Sequence, residues 1–225
     1  QNNYSVTTSS NPPAGGTTGG GGTAFTYNQS VTVTASPNAG YSFVNWTEGG
    51  SVVSSEAGYN FNVASNRTLV ANFSQNNYSV TTSSNPPAGG TTSGGGTAFT
   101  YNQSVTVTTN TNSGYRFVNW TENSAVVSTN SSYSFLVTSN SNLAANFIQT
   151  FTVTTASAPL AGGSASGGGT FDSGSPVTVT ALSSSGYRFV NWTEGSIPVS
   201  TSSSYTFAAN ADRNLTANFI QTYVI

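Results

Sequence analysis

The chain contains no cysteine, histidine, methionine or lysine, and its only charged residues are four arginines and six acidic residues. Without cysteine, it has no disulfide and no thiolate metal site. Without histidine or clustered carboxylates, it lacks the ligands that most protein metal sites use. Four scattered arginines do not form the basic patch that nucleic-acid binding needs. We therefore expect no cofactor, no metal and no nucleic-acid partner; a calcium ion held mainly by backbone carbonyl groups is the one metal alternative left open.

Charged residues make up 4% of the chain, whereas about a quarter of an ordinary domain is charged. Little electrostatic repulsion keeps copies of such a chain apart, which favours assembly. The chain is nevertheless expected to fold, because its net charge is −2 and aromatic residues make up 12% of it, unlike a disordered sequence. Serine, threonine and asparagine in place of charge indicate an extracellular or cell-surface protein of a bacterium or archaeon.

Targeting and processing signals are few. No apolar run is long enough for a transmembrane helix, so we expect no membrane insertion. Gln1 opens directly on a repeat without a signal peptide, and we expect a processed product or part of a longer array. Asn-x-Ser/Thr triplets are frequent; glycosylation of those at Asn45, Asn119 and Asn191 would require these side chains to point outward.

Three tandem copies of one unit fill the chain, and a short segment follows them. Residues 1–18 are identical to residues 75–92. The tryptophans of the shared GY-x-FVNWTE motif are 74 and then 72 residues apart. We therefore assign repeat 1 to residues 1–74, repeat 2 to 75–148, repeat 3 to 149–220, and the first strand of a following repeat to 221–225.

Each copy has the pattern of an all-β unit. In repeat 1, YSVTTSS (4–10) and SVTVTAS (30–36) alternate apolar and polar residues, as half-buried strands do. NPPAGG (11–16) predicts a turn, because proline donates no ladder hydrogen bond and glycine permits a positive φ. About six or seven short strands per copy predict a small antiparallel β-sandwich or barrel-like domain. Since linkers are nearly absent, we expect three such domains stacked end to end.

The order of motifs resembles a known family. Each copy runs from Tyr-x-Val or Phe-x-Val through a proline–glycine loop and a glycine-rich turn to a strand ending in Ala-Asn-Phe. Its strongest motif, A-x-P-x-x-GY-x-F-x-x-W, is present as Ala35, Pro37, Gly40, Tyr41, Phe43 and Trp46. This order is similar to the divergent internalin-B-type B repeats, also called Listeria–Bacteroides-type repeats, over all three copies. Repeat 2 departs from the motif at 109–111, where alanine and proline are lost.

The resemblance implies a biological setting. Such repeats occur in tandem in secreted and surface-anchored bacterial proteins, as stalks and spacers, and some are linked to adhesion. The resemblance brings no catalytic residue to this chain.

The repeated tryptophan has two interpretations. A tryptophan at the same place in every copy is typically a core anchor, because its burial removes a large apolar area from water. The alternative is a row of exposed rings that stack on a carbohydrate. We predict an aromatic core of Trp46, Trp120, Trp192, Tyr41, Tyr115, Tyr187, Phe43, Phe117, Phe189, Phe73, Phe147 and Phe219. Strict strand alternation places Val44 and Trp46 on one face and Phe43 and Asn45 on the other.

One acidic position is shared by all copies, and it is occupied by Glu48, Glu122 and Glu194. Acid–base hydrolysis of a glycosidic bond needs two carboxylates at a defined separation, but each copy offers one near its tryptophan. We therefore predict no catalytic residue and no enzyme activity. In repeats 2 and 3, Arg116 and Arg188 lie six residues before this glutamate, and we expect each pair to cover the two ends of the tryptophan. Repeat 1 has Ser42 instead of arginine.

The end of the chain suggests a route to assembly. The predicted inter-subunit strand consists of Gln221, Thr222, Tyr223, Val224 and Ile225. An unpaired strand needs something to cover it. Two explanations remain open at this point: the chain is cut from a longer array, or the strand completes a neighbouring copy and builds a head-to-tail filament.

These observations predict a non-enzymatic extracellular structural protein, a stalk or filament subunit built by end-to-end packing of its repeats. Its partners are then other copies of itself, packed head to tail or laterally. The alternative is a surface adhesin that binds glycan or protein through its NPPAGG loops and glycine runs (19–22, 94–96, 167–169). These glycine runs are not phosphate-binding loops, because they lack the Gly-Lys-Ser/Thr ending and a following helix.

Overall fold

The structure is a computed structural model that describes residues 3–223, and within this range it contains no α-helix. Three short 3₁₀ turns interrupt the strands at Pro13–Gly15, Pro87–Gly89 and Leu160–Gly162. Repeat 1 contributes the strands β1 (Asn3–Asn11), β2 (Gly16–Gly19), β3 (Gly22–Thr26), β4 (Ser30–Pro37), β5 (Tyr41–Glu48), β6 (Ser51–Ser54), β7 (Gly58–Asn62) and β8 (Arg67–Gln75).

The other two repeats follow the same order of strands. Repeat 2 contributes β9 (Asn77–Asn85), β10 (Gly90–Ser93), β11 (Gly96–Thr100), β12 (Ser104–Thr111), β13 (Tyr115–Glu122), β14 (Ala125–Ser128) and β15 (Ser132–Leu136). The long strand β16 (Ser141–Ala158) belongs to both repeats. Repeat 3 continues with β17 (Gly163–Ser166), β18 (Gly169–Asp172), β19 (Pro176–Ser183), β20 (Tyr187–Glu194), β21 (Ile197–Ser200), β22 (Ser204–Ala208) and β23 (Arg213–Gln221).

The chain forms two compact units. The first unit comprises the residues through Thr81 together with Gly94–Thr106 and Ser134–Ser141. The second unit comprises Thr82–Ser93, Val107–Tyr133 and the residues from Asn142 onward. Repeat 1 therefore lies in the first unit, repeat 3 lies in the second, and repeat 2 is divided between them.

Repeat 1 is a sandwich of two sheets. One sheet has five strands in the order β3-β1-β8-β5-β6, and the other has three strands in the order β2-β4-β7. All neighbours are antiparallel except β1 and β8, which pair in parallel from Val6–Arg67 to Asn11–Asn72. The all-β prediction is confirmed. The parallel pair and the short strand β2, which brings the described strands of repeat 1 to eight, were not predicted.

Repeat 3 has the same topology within the second unit. Its larger sheet has the order β18-β16-β23-β20-β21, to which β16 contributes its second half. Its smaller sheet has the order β17-β19-β22. In repeat 2, β9 pairs with β11 in the first unit. In the second unit, β10 pairs with β12, and β13 pairs with both β14 and β16. Every one of these pairings has its counterpart in repeats 1 and 3.

The core of repeat 1 lies between its two sheets. Trp46 and Leu69 of the larger sheet and Val33 of the smaller sheet are each 0% exposed. The remaining buried members of this core are Val6, Val31, Ala35, Val63, Ala71 and Phe73. Repeat 3 buries the equivalent set around Trp192. In repeat 2, Thr109 stands where this core has Ala35, and its hydroxyl is buried without a hydrogen-bond partner among the described residues.

A β-bulge sets the direction of the aromatic side chains on β5. The register with β8 advances by two residues on β5, from Phe43 to Asn45, but by one residue on β8. Val44 is thereby left over and is 47% exposed, while Phe43 and Trp46 both pack into the core. The prediction that Phe43 and Trp46 lie on opposite faces is therefore wrong, because strict alternation requires an unbroken pleat.

Two glycines of the PAGG motif pack directly on the last strand. A Cβ added to Gly15 would lie 2.6 Å from the Cβ of Phe73, and one added to Gly16 would lie 2.5 Å from the Cζ of the same ring. The equivalent glycine pairs meet Phe147 and Phe219 in the other repeats. The PAGG and Ala-Asn-Phe motifs are thus the two halves of one contact, which no larger side chain fits.

The substitution Gly15→Ala is expected to lower the free energy of unfolding by about 1–3 kcal/mol, the usual cost of overpacking a filled core. The added methyl group would meet the base of the Phe73 side chain, which cannot swing away. Gly58→Ala is the matched control, because nothing lies within 4 Å of a Cβ added there. Denaturant unfolding followed by circular dichroism measures both variants, and equal stability of the two would contradict the contact.

Candidate functional site

The tryptophan of each repeat lies in the core. Trp46, Trp120 and Trp192 are all 0% exposed, and the indole N–H of Trp46 donates to the backbone oxygen of Ala57 at 3.3 Å. The ring of Phe43 is 6.1 Å from that of Trp46, centroid to centroid. No carbohydrate can stack on a ring without exposed surface, so the interpretation as a row of sugar-binding tryptophans is wrong.

The other predicted core residues surround these tryptophans. Phe73, Phe147 and Phe219 are buried, and the remaining six, Tyr41, Tyr115, Tyr187, Phe43, Phe117 and Phe189, are half-buried. In repeat 1 the ring centroids of Phe43 and Phe73 are 5.9 Å apart at an interplanar angle of 74°, the edge-to-face arrangement that aromatic pairs favour. These side chains therefore serve packing and present little surface to a ligand.

The shared glutamate forms an ion pair with a neighbouring strand. Arg67 donates from Nε to Oε2 of Glu48 at 3.0 Å and from a terminal nitrogen to the same oxygen at 2.6 Å. The guanidinium carbon also lies 4.2 Å from the ring centre of Phe61, within the range of a cation–π contact, and a second terminal nitrogen donates to the hydroxyl of Tyr59 at 3.3 Å. Because Phe61 and Tyr59 belong to the smaller sheet, this cluster ties the two sheets together at one end.

Repeat 3 contains the same cluster. Arg213 donates to Oε2 of Glu194 at 2.8 Å and to the hydroxyl of Tyr205 at 3.3 Å, and it lies 4.3 Å from the ring centre of Phe207. Repeat 2 lacks it, since Ser141 stands at the position of Arg67. From the sequence we expected Arg188 and Glu194, and likewise Arg116 and Glu122, to cover the tryptophan from one strand. In the ion pairs observed, Glu194 binds Arg213 and Arg116 binds Asp172, each on a neighbouring strand.

The ion pair changes the protonation of its members. The hydrogen bond from Arg67 lowers the pKa of Glu48, although burial opposes this shift. The hydrogen bond to Glu48 raises the pKa of Arg67 in turn. Glu48 therefore stays ionised to a lower pH than a free glutamate, which is the opposite of the raised pKa that a general acid requires.

Asparagines form a ladder across the outer face of the larger sheet. In repeat 1, Asn11 donates to Asn72 at 3.1 Å, and Asn72 donates to Asn45 at 2.8 Å and to Thr47 at 3.1 Å. Repeats 2 and 3 contain the equivalent bonds to Asn119 and Asn191. The amide oxygens of the three asparagines considered for glycosylation thus accept hydrogen bonds from neighbouring strands.

The ladder of repeat 2 borders a shallow groove. The groove has a volume of about 440 Å³ and is lined mainly by asparagine, serine and threonine, including Asn85, Thr121, Asn123, Asn142 and Asn146. Within residues 3–223, no three His, Cys, Asp or Glu side chains come together to hold a metal ion. The groove therefore offers amides and hydroxyl groups as its polar contacts.

Consecutive repeats are joined directly by backbone hydrogen bonds. The amide of Asn76 donates to the carbonyl oxygen of Gly40 at 2.8 Å, and the amide of Thr150 donates to that of Gly114 at 2.8 Å. At the second junction the strand β16 is unbroken: its first half is antiparallel to β13 of repeat 2, and its second half is parallel to β23 of repeat 3. One strand thus serves two sandwiches.

The segment predicted to pair between subunits begins in the same way. Gln221 is the last residue of β23, and the amide of Thr222 donates to the carbonyl oxygen of Gly186 at 2.7 Å. Tyr223 is 79% exposed, and Val224 and Ile225 lie outside the described residues. Donation of this segment to another copy stays a prediction.

The ion pair of repeat 1 should make its stability sensitive to acid. Because the pKa of Glu48 is lower in the folded than in the unfolded protein, its ionisation stabilises the fold above about pH 4.3. That contribution is lost as the pH falls through the lowered folded-state pKa. We expect Glu48→Gln to cost about 1 kcal/mol at neutral pH and to flatten the loss of stability below about pH 4.3.

Glu122→Gln is the matched control for this variant. Glu122 occupies the same position in repeat 2, where residues 3–223 provide it with no ion pair. Unfolding by denaturant between neutral pH and about pH 3 compares the two variants with the unmodified chain. An acid response that flattens equally in both variants would contradict the role of the Glu48–Arg67 pair.

Comparison with known proteins places the repeats in a family. The family described as the divergent InlB B-repeat domain matches the chain over residues 6–77, 80–150 and 153–222. No protein with a curated description matches the chain. Within residues 3–223, no helix is long and apolar enough to cross a membrane. The tandem matches point to a surface or extracellular repeat protein and confirm the resemblance seen in the motifs: the chain belongs to the divergent InlB B-repeat family, of which it carries three copies.

Proposed function

We propose that the chain is a non-enzymatic stalk segment of an extracellular protein, in which the repeats pack end to end. The observation that carries this proposal is the junction between repeats 2 and 3, where β16 passes from one sandwich into the next without a break. A flexible linker would leave each domain free to reorient. Because β16 is continuous, pairing of its first half with β13 also fixes the direction of its second half, which pairs with β23.

The chemistry of the repeats supports a structural role. The shared glutamate is held by Arg67 in repeat 1 and by Arg213 in repeat 3, and the tryptophans are buried. These are the residues that looked most suitable for binding or catalysis in the sequence. Each of them stabilises its own sandwich, which is what a spacer requires.

Assembly of several chains would extend the stalk into a filament. The proposed mechanism is donation of residues 221–225 to a neighbouring copy, which would give an open head-to-tail contact. The bond from Thr222 to Gly186 supports this mechanism, because it starts the segment along the path that Asn76 and Thr150 take into their own repeats.

An adhesin is the second candidate, and the groove of about 440 Å³ beside Asn85 and Asn146 favours it. Amides and hydroxyl groups in a groove suit the hydroxyl groups of a glycan. The PAGG loops suit this function less well than the sequence indicated, because Gly15 and Gly16 are covered by Phe73. Glycan-array binding that is lost on Asn85→Ala, with folding retained, would favour the adhesin.

The stalk proposal predicts a narrow distribution of distances between repeats 2 and 3. Since the chain has no cysteine, Asn130→Cys and Ser202→Cys give two unique sites for spin labels, and pulsed electron resonance measures their separation. Insertion of Gly-Gly-Ser between Gln149 and Thr150 should broaden the distribution, because it interrupts β16. The same insertion between Gly49 and Gly50, a turn with open space around it, should leave it narrow. A broad distribution in the unmodified chain would contradict the stalk.

The filament mechanism predicts a dependence on the last five residues. Electron microscopy of the purified chain at high concentration should show filaments, and deletion of residues 221–225 should abolish them if that segment is donated. The matched control deletes no residues and replaces Tyr223 with serine, which keeps the backbone that pairs. A monomer at all concentrations would contradict the filament and leave the stalk proposal standing.

A further inference from the structure

The two junctions of the chain use different side chains. At the junction between repeats 1 and 2, Tyr101 lies over Gly40: a Cβ added to this glycine would lie 2.2 Å from the Cβ of Tyr101. Ser42, two residues further along, donates to the side-chain oxygen of Asn76 at 2.7 Å. This junction therefore consists of a glycine covered by an aromatic ring, together with neutral polar groups.

The junction between repeats 2 and 3 carries charge. Arg116 donates from Nε to Oδ1 of Asp172 at 2.9 Å, and one of its terminal nitrogens contacts the second carboxylate oxygen. This hydrogen bond raises the pKa of Arg116 and lowers that of Asp172. Nothing lies within 4 Å of a Cβ added to Gly114. The small Ser173 stands here at the position that Tyr101 occupies in the first junction.

The residues change together, on both sides of each junction. The second residue of β5, β13 and β20 is Ser42, Arg116 or Arg188. The last residue of the facing strand is threonine in β11, where a tyrosine follows, and aspartate in β18, where a serine follows. Serine on one side of a junction thus accompanies the Thr-Tyr type of face on the other, and arginine accompanies the Asp-Ser type.

The far end of repeat 3 carries the arginine type of face. Nothing lies within 4 Å of a Cβ added to Gly186, as at Gly114. Arg188 stands at the position of Arg116, is exposed, and forms no ion pair with any residue between 3 and 223. The amide of Thr222 already makes the junction hydrogen bond to Gly186. The backbone half of a junction is present here, and its acidic partner is not among the described residues.

Repeat 1 presents the other type of face. Its β3 ends in Thr26, and Tyr27 follows with 70% of its surface exposed. A second copy of this chain stacked on Arg188 would therefore bring threonine and tyrosine to the arginine, with no carboxylate to pair with it. Charge complementarity of this kind selects partners more than it adds affinity.

We propose that the surface formed by Gly186, Arg188 and the end of β23 receives a further repeat of this fold whose third strand ends in an acidic residue followed by a small one. The occupant is a repeat that carries aspartate and serine at the positions of Asp172 and Ser173, placed in tandem after repeat 3. The Thr26–Tyr27 face of a second copy is disfavoured at this surface, because it offers no carboxylate to Arg188. This inference rests on the end-to-end packing proposed above, and not on the filament mechanism. It specifies which repeat follows which, and it weighs against a filament in which repeat 1 of one chain stacks on repeat 3 of another.

The test extends the full chain by a second copy of residues 149–220 inserted after Ile220, which brings a copy of Asp172 opposite Arg188. A matched chain carries Asp172→Thr and Ser173→Tyr in the added copy only. Arg188→Ser is then made in both extended chains and in the unextended chain. Amide hydrogen exchange measures opening of the new junction, and the same cycle on Arg116 and Asp172 calibrates the size of the effect in the natural junction.

In the acidic chain, Arg188→Ser should speed exchange of the junction amides about two- to fivefold, the range of an exposed ion pair, and high salt should reduce this difference. The same substitution should leave exchange unchanged in the matched chain and in the unextended chain. An equal effect in both extended chains, or none in either, would overturn the proposal.

The outcomes separate this inference from the stalk proposal. Protected junction amides in both extended chains, without any dependence on Arg188, would retain end-to-end packing and reject the selection by charge. Unprotected junction amides in both chains would reject the packing itself. Sedimentation of the unextended chain supplies the last arm: self-association that Arg188→Ser abolishes would show that a second copy occupies the surface, and this too would overturn the proposal.

Discussion

The contact between Trp46 and its phenylalanine neighbours is the packing on which the rest of a repeat depends. A unit of roughly seventy residues buries a modest core, and here the largest buried side chain, Trp46, lies between a five-stranded and a three-stranded sheet. The bulge at Val44 lets Phe43 join Trp46 on the inner side. Gly15 in turn lets the loop close over Phe73. The bulge and the glycine contact both serve this one cluster.

Much of this fold could be predicted from the sequence, because local patterns encode it. The all-β class followed from alternation and turn residues, and the comparison of copies indicated the aromatic core. The bulge at Val44 was not predicted, since alternation of side chains assumes an unbroken pleat. The parallel pairing of β1 with β8 joins residues about sixty positions apart and has no local signature. The strand β2 has four residues between the PAGG turn and the glycine run, too few to show an alternating pattern.

The site residues show the same limit more sharply. Glu48 and Arg67 are 19 positions apart and meet because β8 begins beside the end of β5. The sequence suggested same-strand arginines for the equivalent Glu122 and Glu194, and none for Glu48. A usable signal was nevertheless present: Glu122, which has no ion pair among the described residues, belongs to the copy in which Ser141 replaces the arginine. Comparison of copies position by position also separates the two kinds of junction. Differences between repeats therefore carried information that their shared motifs did not.

The parallel pairing of the first and last strands determines how a repeat responds when its ends are pulled apart. In repeat 1, tension enters at the start of β1 and leaves at the end of β8, and these two strands are hydrogen-bonded neighbours running in the same direction. Tension along the chain therefore acts parallel to both strands and shears the whole row of hydrogen bonds between Val6 and Asn11 at once. In repeat 3 the second half of β16 and β23 are arranged identically. Such a row resists extension collectively, whereas an antiparallel hairpin pulled at its open end unzips one bond at a time.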